Sequence, residues 1–231
     1  MKINVIFFAS LVEVIGTRRV TLELSHGSTV ADALHLLEVD HPRVKSYRSV
    51  LLTALNDEYV ETSSLLSDND ELAVFPPVSG GQVDLPALTV CLPSQFYQLT
   101  REPIEANKIA HNLLRGENGA VCVFEGVVRN NSKGRATRYL NYEANEAMAL
   151  KKLREIGESL RKMWPIDSIA MVHRLGKMDI GETAVTVIVT SAHRRPAFDA
   201  CHYAIDRLKK IVPVWKKEVF EDGEMWVEGE S

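Results

Sequence analysis

A chain of 231 residues that is 45% hydrophobic and 25% charged is long enough for one large or two small folded domains. Its net charge of −4 argues against a general nucleic-acid binder. The apolar run after Met1 is too short for a signal peptide or a membrane span, so the cytoplasm is the expected compartment. The charge is unevenly placed: residues 1–81 hold 6 Lys and Arg against 11 Asp and Glu, a net of −5, whereas the remaining 21 and 20 give residues 82–231 a net of +1. Cys91, Cys122 and Cys201 are far apart, form no Cys-x-x-Cys pair and lie in apolar runs, as buried free thiols would. No zinc set with the histidines is evident.

In chain order, Lys2–Ala9 alternates into an apolar run and Arg19–Leu24 alternates cleanly, with Gly16-Thr17 as the turn between two strands. Ser28-Thr29 caps a helix in which Val30, Ala33, Leu34 and Leu37 recur at helical spacing. Val50–Leu55 and Glu71–Phe75 read as two more strands. Strands crossed by one helix in this length suit a β-grasp, ubiquitin-like roll over residues 1–81. The polar stretch 82–87, with Pro86, reads as a linker. Residues 88–231 read as a second α+β domain with an antiparallel-leaning sheet. Its expected elements are a helix near Pro103–Arg115, strands at Ala120–Arg129 and Thr137–Tyr142, and a helix at Ala144–Met163. Strands at Ser168–Arg174 and Thr183–Ser191 follow, then a helix at Ala197–Val212 and a closing hairpin over Val214–Val227. In the last helix, Phe198, Cys201, Ile205, Leu208 and Val212 are expected to share one buried face.

The first domain ends in Phe75-Pro76-Pro77-Val78-Ser79-Gly80-Gly81, after which the chain continues. Two glycines without Cβ atoms can thread a narrow channel, and they can equally be a flexible connector. A carboxylate at the end of such a tail can be adenylated and converted to a thiocarboxylate. Here Gly81 is joined to Gln82, so the chemistry depends on that bond being cut.

In the second domain, basic residues stand where elements end. Arg129-Asn130-Asn131 closes a strand and opens into the Ser132-Lys133-Gly134-Arg135 loop. His193 and Arg194 fall between a strand and a helix start, where backbone N–H groups and the positive dipole end favour an anion. Lys209 and Lys210 close that helix, and Trp215-Lys216-Lys217-Glu218 follows. Singly, each is as readily a solvated terminus, a surface residue or a core anchor. Together they point to a pocket for a phosphate-bearing small molecule.

Residues 1–81 resemble the small subunit of molybdopterin synthase, through Ile6-Phe7-Phe8-Ala9, Gly16, Ala54-Leu55-Asn56 and the Gly-Gly end. Residues from about 88 to 228 resemble the large subunit. That likeness is carried by Gly119-Ala120-Val121, Phe124 to Asn130, His173-Arg174-Leu175-Gly176, Gly181-Glu182, Thr190 to Arg194 and Pro213-x-Trp215-Lys216-Lys217-Glu218. The resemblance implies a fusion that transfers sulfur from a glycine thiocarboxylate, at a freed Gly81, to cyclic pyranopterin monophosphate, forming the molybdopterin dithiolene. It also implies an adenylating partner enzyme of the E1 type, a homodimer through the second domain, and no cofactor or metal. By position, Val127, Val128, Arg129, His193, Arg194, Lys209, Lys216, Lys217 and Glu218 would bind substrate, with Lys209 and Lys216 catalytic. The competing expectation is an uncut fusion whose first domain is a non-donating scaffold, with sulfur coming from a separate carrier.

Overall fold

The computed structural model describes residues 1–48, 50–76, 94–132 and 134–227, and the backbone of 88–92. The Gly80-Gly81 end and the expected linker 82–87 lie outside the described residues, as do Lys133 and the side chain of Cys91. The chain divides into two compact units, Met1–Val78 and Ser79–Val227, each with its own apolar core.

In the first unit, alternation along β1 (Lys2–Phe7) turns Ile3, Val5 and Phe7 inward. The chain then forms α1 (Ser10–Ile15), β2 (Arg19–Glu23), α2 (Val30–Asp40), a 3₁₀ helix at Pro42–Tyr47, β3 (Leu52–Leu55), β4 (Glu58–Tyr59) and β5 (Glu71–Phe75). The strands pair in the order β2-β1-β5-β3-β4, with β1 and β5 parallel and the other pairs antiparallel. Helix α2 starts at a reciprocal cap in which Thr29 N–H donates to the Asp32 carboxylate at 2.7 Å and Thr29 Oγ1 accepts from Asp32 N. It buries Val30, Ala33, Leu34 and Leu37 against the sheet. This is the expected β-grasp roll. One detail differs: Gly16-Thr17 is no strand-to-strand turn, because α1 fills the connection and Gly16 ends it in the left-handed region at φ 81°.

The second unit contains β6 (Leu88–Leu92), β7 (Gln95–Thr100), α3 (Ala106–Leu113), β8 (Ala120–Val127), β9 (Asn131–Ser132), β10 (Arg135–Ala144) and α4 (Glu146–Met163). It continues through β11 (Ser168–Arg174), β12 (Gly176–Asp179), β13 (Thr183–Ser191), α5 (Arg194–Ile211), β14 (Val214–Phe220) and β15 (Gly223–Trp226). One sheet runs β6-β7-β11-β13-β8, with β6 and β8 its outer strands and β7–β11 the parallel pair. A second runs β12-β10-β14-β15, and β9 adds to β10. Alternation along β13 divides the first sheet's faces. Val185, Val187 and Val189 enter the core shared with α4 and α5, while Ile188 faces the smaller cluster under α3.

Strands β6, β7 and β12 have no counterpart in the sequence reading. The helix α5 face also differs from expectation. Phe198 is 58% exposed, and the buried face is carried by Ala197, Ala200, Cys201, Ala204, Ile205 and Leu208. The alanines let the helix lie close on β13 and β8, and Phe198 falls outside that contact. Cys201 is buried and free; Cys122 is free but only partly covered. Among the described residues no helix is long and apolar enough to cross a membrane.

Close packing between α4 and β7 depends on Gly157. A Cβ there would lie 1.7 Å from the fully buried Tyr97 hydroxyl and 2.6 Å from its ring Cζ. Gly157→Ala is therefore expected to destabilise by about 1–3 kcal/mol through overpacking, despite a helix-propensity gain near 1 kcal/mol. Adding Tyr97→Phe should recover part of the loss. Denaturant unfolding followed by tryptophan fluorescence measures it, since Trp164, Trp215 and Trp226 all lie in this unit. A Gly157→Ala protein more stable than wild type would contradict the packing.

Candidate functional site

The last paired residue of β13, Ser191, faces Ala120 at the start of β8. From there the chain turns through Ala192 and His193 into α5. Ser191 Oγ donates to the Pro165 carbonyl at 2.9 Å and accepts from His193 N at 3.4 Å, which pins the turn. His193 is the N-cap, but its ring makes no capping bond, and the first turn of α5 has no acidic residue. The positive end of the helix is thus uncompensated there. Arg195 is committed to Asp199 at 2.7 Å, and this bond holds its guanidinium above its ordinary range. Arg194 makes no ion pair among the described residues. Gly119, Ala192, His193, Arg194, Arg195 and Phe198 line an open pocket of about 720 Å³. Its volume and its basic, helix-start lining suit an anionic small molecule.

Lys209 lies at the far end of the same helix. Sixteen residues at 1.5 Å rise separate it from His193 by about 24 Å, too far for both to hold one anion. Because α5 begins where β13 ends and packs along β13 and β8, it runs back toward Thr183, which pairs with Val127. Arg129 follows there and is exposed, whereas Val128 is buried among Leu140, Met178 and Ala184. Val128 N–H donates to the Glu182 carbonyl and its own carbonyl accepts from Gly181, both at 2.9 Å, so this turn fixes the backbone that presents Arg129. Val127 is largely exposed. Val128, expected among the substrate-binding residues, has its side chain in this apolar cluster.

Strand β14 sets the remaining residues. Lys216 faces Tyr142 and Lys217 faces Asn141 across the β10 pairing. Lys216 Nζ is 3.1 Å from the buried Glu218 carboxylate, on the same strand face. Lys217 points the opposite way, ion-paired with Glu224 and 5.1 Å over the Trp226 ring. Alternation therefore separates Lys217 from the pair Lys216 and Glu218, which were expected to share its pocket. Gly81 lies outside the described residues.

A partly buried polar network, not expected from the sequence, braces this end. Arg174 binds Glu182 at 2.9 Å and the Arg101 carbonyl at 3.2 Å, and Arg101 binds Glu146 at 2.7 Å. The Arg174 bond, with a second from Asp179 N–H, holds the Glu182 carboxyl below its usual range. His173 is buried; its Nδ1 lies 2.8 Å from the Arg174 carbonyl and its ring meets Tyr142 edge-on at 5.1 Å. Among the described residues no group of three or more His, Cys, Asp or Glu is placed to hold a metal ion.

Residues 99–211 match the MoaE protein family and residues 5–81 the ThiS family. The molybdopterin synthase catalytic subunit of Bacillus subtilis is 44% identical over 131 residues, which span 57% of this chain and 83% of that protein. The crystal structure of molybdopterin synthase from Staphylococcus aureus is 43% identical, covers 57% of this chain and 96% of its own, and superposes with a TM-score of 0.55. The MoaE protein from Burkholderia ambifaria is 29% identical over 61% of this chain and 92% of its own, with a TM-score of 0.51.

Burial pushes the His173 imidazole down from 6.5 to about 4. Between those values the unfolded chain binds the extra proton, so this stability is complete above pH 6.5 and drains as pH falls toward 4. It amounts to about 3 kcal/mol at most. Unfolding curves at pH 7.5 and 4.5 should show His173→Gln losing less stability on acidification than wild type. Equal losses would mean that His173 does not titrate on unfolding.

Proposed function

The chain belongs to the molybdopterin synthase family, as a ThiS domain fused to a MoaE domain, and from that premise we propose how it acts in molybdenum cofactor biosynthesis. The reaction is transfer of sulfur from a glycine thiocarboxylate to cyclic pyranopterin monophosphate, giving the molybdopterin dithiolene. The observation that carries this reading is the basic pocket at the start of α5, in a domain of this family. His193 and Arg194 take the substrate's phosphate, aided by the helix dipole. Lys209, with Arg129 near the same end of α5, works where the thiocarboxylate meets the reacting carbons. Lys216, held by Glu218, supplies a fixed ammonium that offsets charge developing on sulfur and oxygen.

These two groups serve one substrate only if two copies of the chain meet. Strand β8 is one of the two outer strands of its sheet, and Val121, Val123 and Val127 along it are 42%, 39% and 49% exposed. We place a second copy there, β8 against β8 and antiparallel about a twofold axis. The Ala120 end of one copy then meets the Val127 end of the other, bringing His193 and Arg194 of one protomer to Arg129 and Lys209 of its partner.

The donor glycine is Gly81, whose carbonyl is in a peptide bond to Gln82. A peptide carbonyl cannot be adenylated as a carboxylate can. The bond must be cut for this domain to donate, or else the first domain is a scaffold and a separate carrier supplies sulfur. Chain shown by mass spectrometry to be uncut is expected to make no product alone and to gain activity with an added thiocarboxylated carrier. A protein ending at Gly81, mixed with residues 82–231, should be activated by an adenylating enzyme and a sulfur source. Product from uncut chain with no carrier would refute the requirement. With a competent donor, Lys209→Ala should lose about 2–4 kcal/mol of transition-state stabilisation and Lys210→Ala far less. Wild-type turnover by Lys209→Ala would remove Lys209 from the reaction.

A further inference from the structure

We propose that Gly119 is a positioning residue for the anion pocket: its missing side chain lets β8 and the Ala192–Arg194 turn approach closely enough to set His193 and Arg194 on the substrate. This rests on the site reading above. A Cβ built on Gly119 would lie 2.4 Å from the Ala192 carbonyl oxygen and 3.4 Å from its carbon. The obstacle is backbone, which cannot swing aside as a side chain can. Gly119 is not in the left-handed region, so alanine there is allowed by its own backbone and is excluded only by the neighbour.

Both sides of the contact are held. Asn118 Oδ1 accepts from Arg115 N at 2.9 Å, and its Nδ2 donates to Asp167 at 2.7 Å, which fixes the turn leading into Gly119. On the other side Ser191 anchors the turn to Pro165, and Asp167 N–H donates to the Thr190 carbonyl at 2.9 Å. Relief of the clash must therefore come from the segment between these anchors, Ala192 and His193, and it carries Arg194 with it. Phe198, on the next turn of the helix and exposed in the same pocket, moves relative to Gly119 as well. Gly116, in the same turn, has nothing within 4 Å of a built Cβ and an ordinary backbone angle, which makes it a matched control.

The test uses the full chain supplied with a thiocarboxylated carrier. Steady-state kinetics with cyclic pyranopterin monophosphate are read beside inorganic phosphate binding followed on the His193 imidazole resonance. Displacing the phosphate contacts by an ångström should raise KM for Gly119→Ala about tenfold or more with kcat within about threefold, the split expected when ground and transition states lose the same contact. Phosphate binding should weaken in parallel, and Gly116→Ala should match wild type in both readouts. If Gly119→Ala fails to fold, Asn118→Ala, which frees the turn from Arg115 and Asp167, should give the same split. Arg194→Ala separates the two levels of the argument. Raised KM in Arg194→Ala beside wild-type KM and phosphate binding in a folded Gly119→Ala, or in Asn118→Ala where Gly119→Ala does not fold, overturns the role of Gly119 and leaves the pocket standing. Unchanged KM and phosphate binding in Arg194→Ala overturns the pocket reading and this inference with it.

Discussion

Helix α5 is a rod of about 27 Å, and its length sets how far His193 and Arg194 stand from Lys209. Its first turn holds His193 and Arg194 against Gly119, and its last turn holds Lys209 near the end of β8 that leads to Arg129. The rod cannot bend to bring these groups together, because alanines at 197, 200 and 204 press it onto β13 and β8 along its course. A ligand that needs both ends must take one of them from another molecule. The exposed valines along the outer strand β8 offer the surface for it.

What the helix does for spacing, the strands do for direction. Alternation along β14 gives Lys216 and Glu218 one face and sends Lys217 to Trp226 on the other. The bonds from Val128 to Gly181 and Glu182 fix the backbone before Arg129, and Arg174 holds Glu182 in turn. The buried charges of Glu146 and Arg174 are costly without partners, and the partly exposed Arg101 and Glu182 supply those partners. Burial of the ring likewise favours the neutral form of His173.

Much of the fold was legible from local pattern. Strands β11 and β13 match the expected bounds because both are continuous apolar runs ended by clear turn residues, and Thr29 announces α2 through its cap. Strands β6 and β7 escaped because Pro93 breaks the run between them and their pairing is completed by β11, far along the chain. Helical spacing puts Phe198 on the core face, but spacing does not reveal how close a helix lies to its sheet, and three alanines set that distance here. The basic residues at the site were visible as residue types at element ends. Their division into two groups was not, since it follows from the direction in which α5 runs over the sheet. Gly119 was noticed as part of a motif, yet its contact with Ala192 exists only once β8 and β13 are paired.

The central claim is that one reaction site draws His193 and Arg194 from one protomer and Lys209 from another. Mixing Arg194→Ala and Lys209→Ala proteins, assayed with substrate well below the KM of Arg194→Ala so that each alone is nearly inactive, tests it most directly. Random reassortment makes half the pairs mixed, and each mixed pair holds one intact site of two, so about a quarter of wild-type turnover should return. The level should rise with the time allowed for exchange of protomers. If fully exchanged mixtures stay as inactive as the separate variants, the site lies within one chain and the account of α5 as a divider between half-sites is wrong.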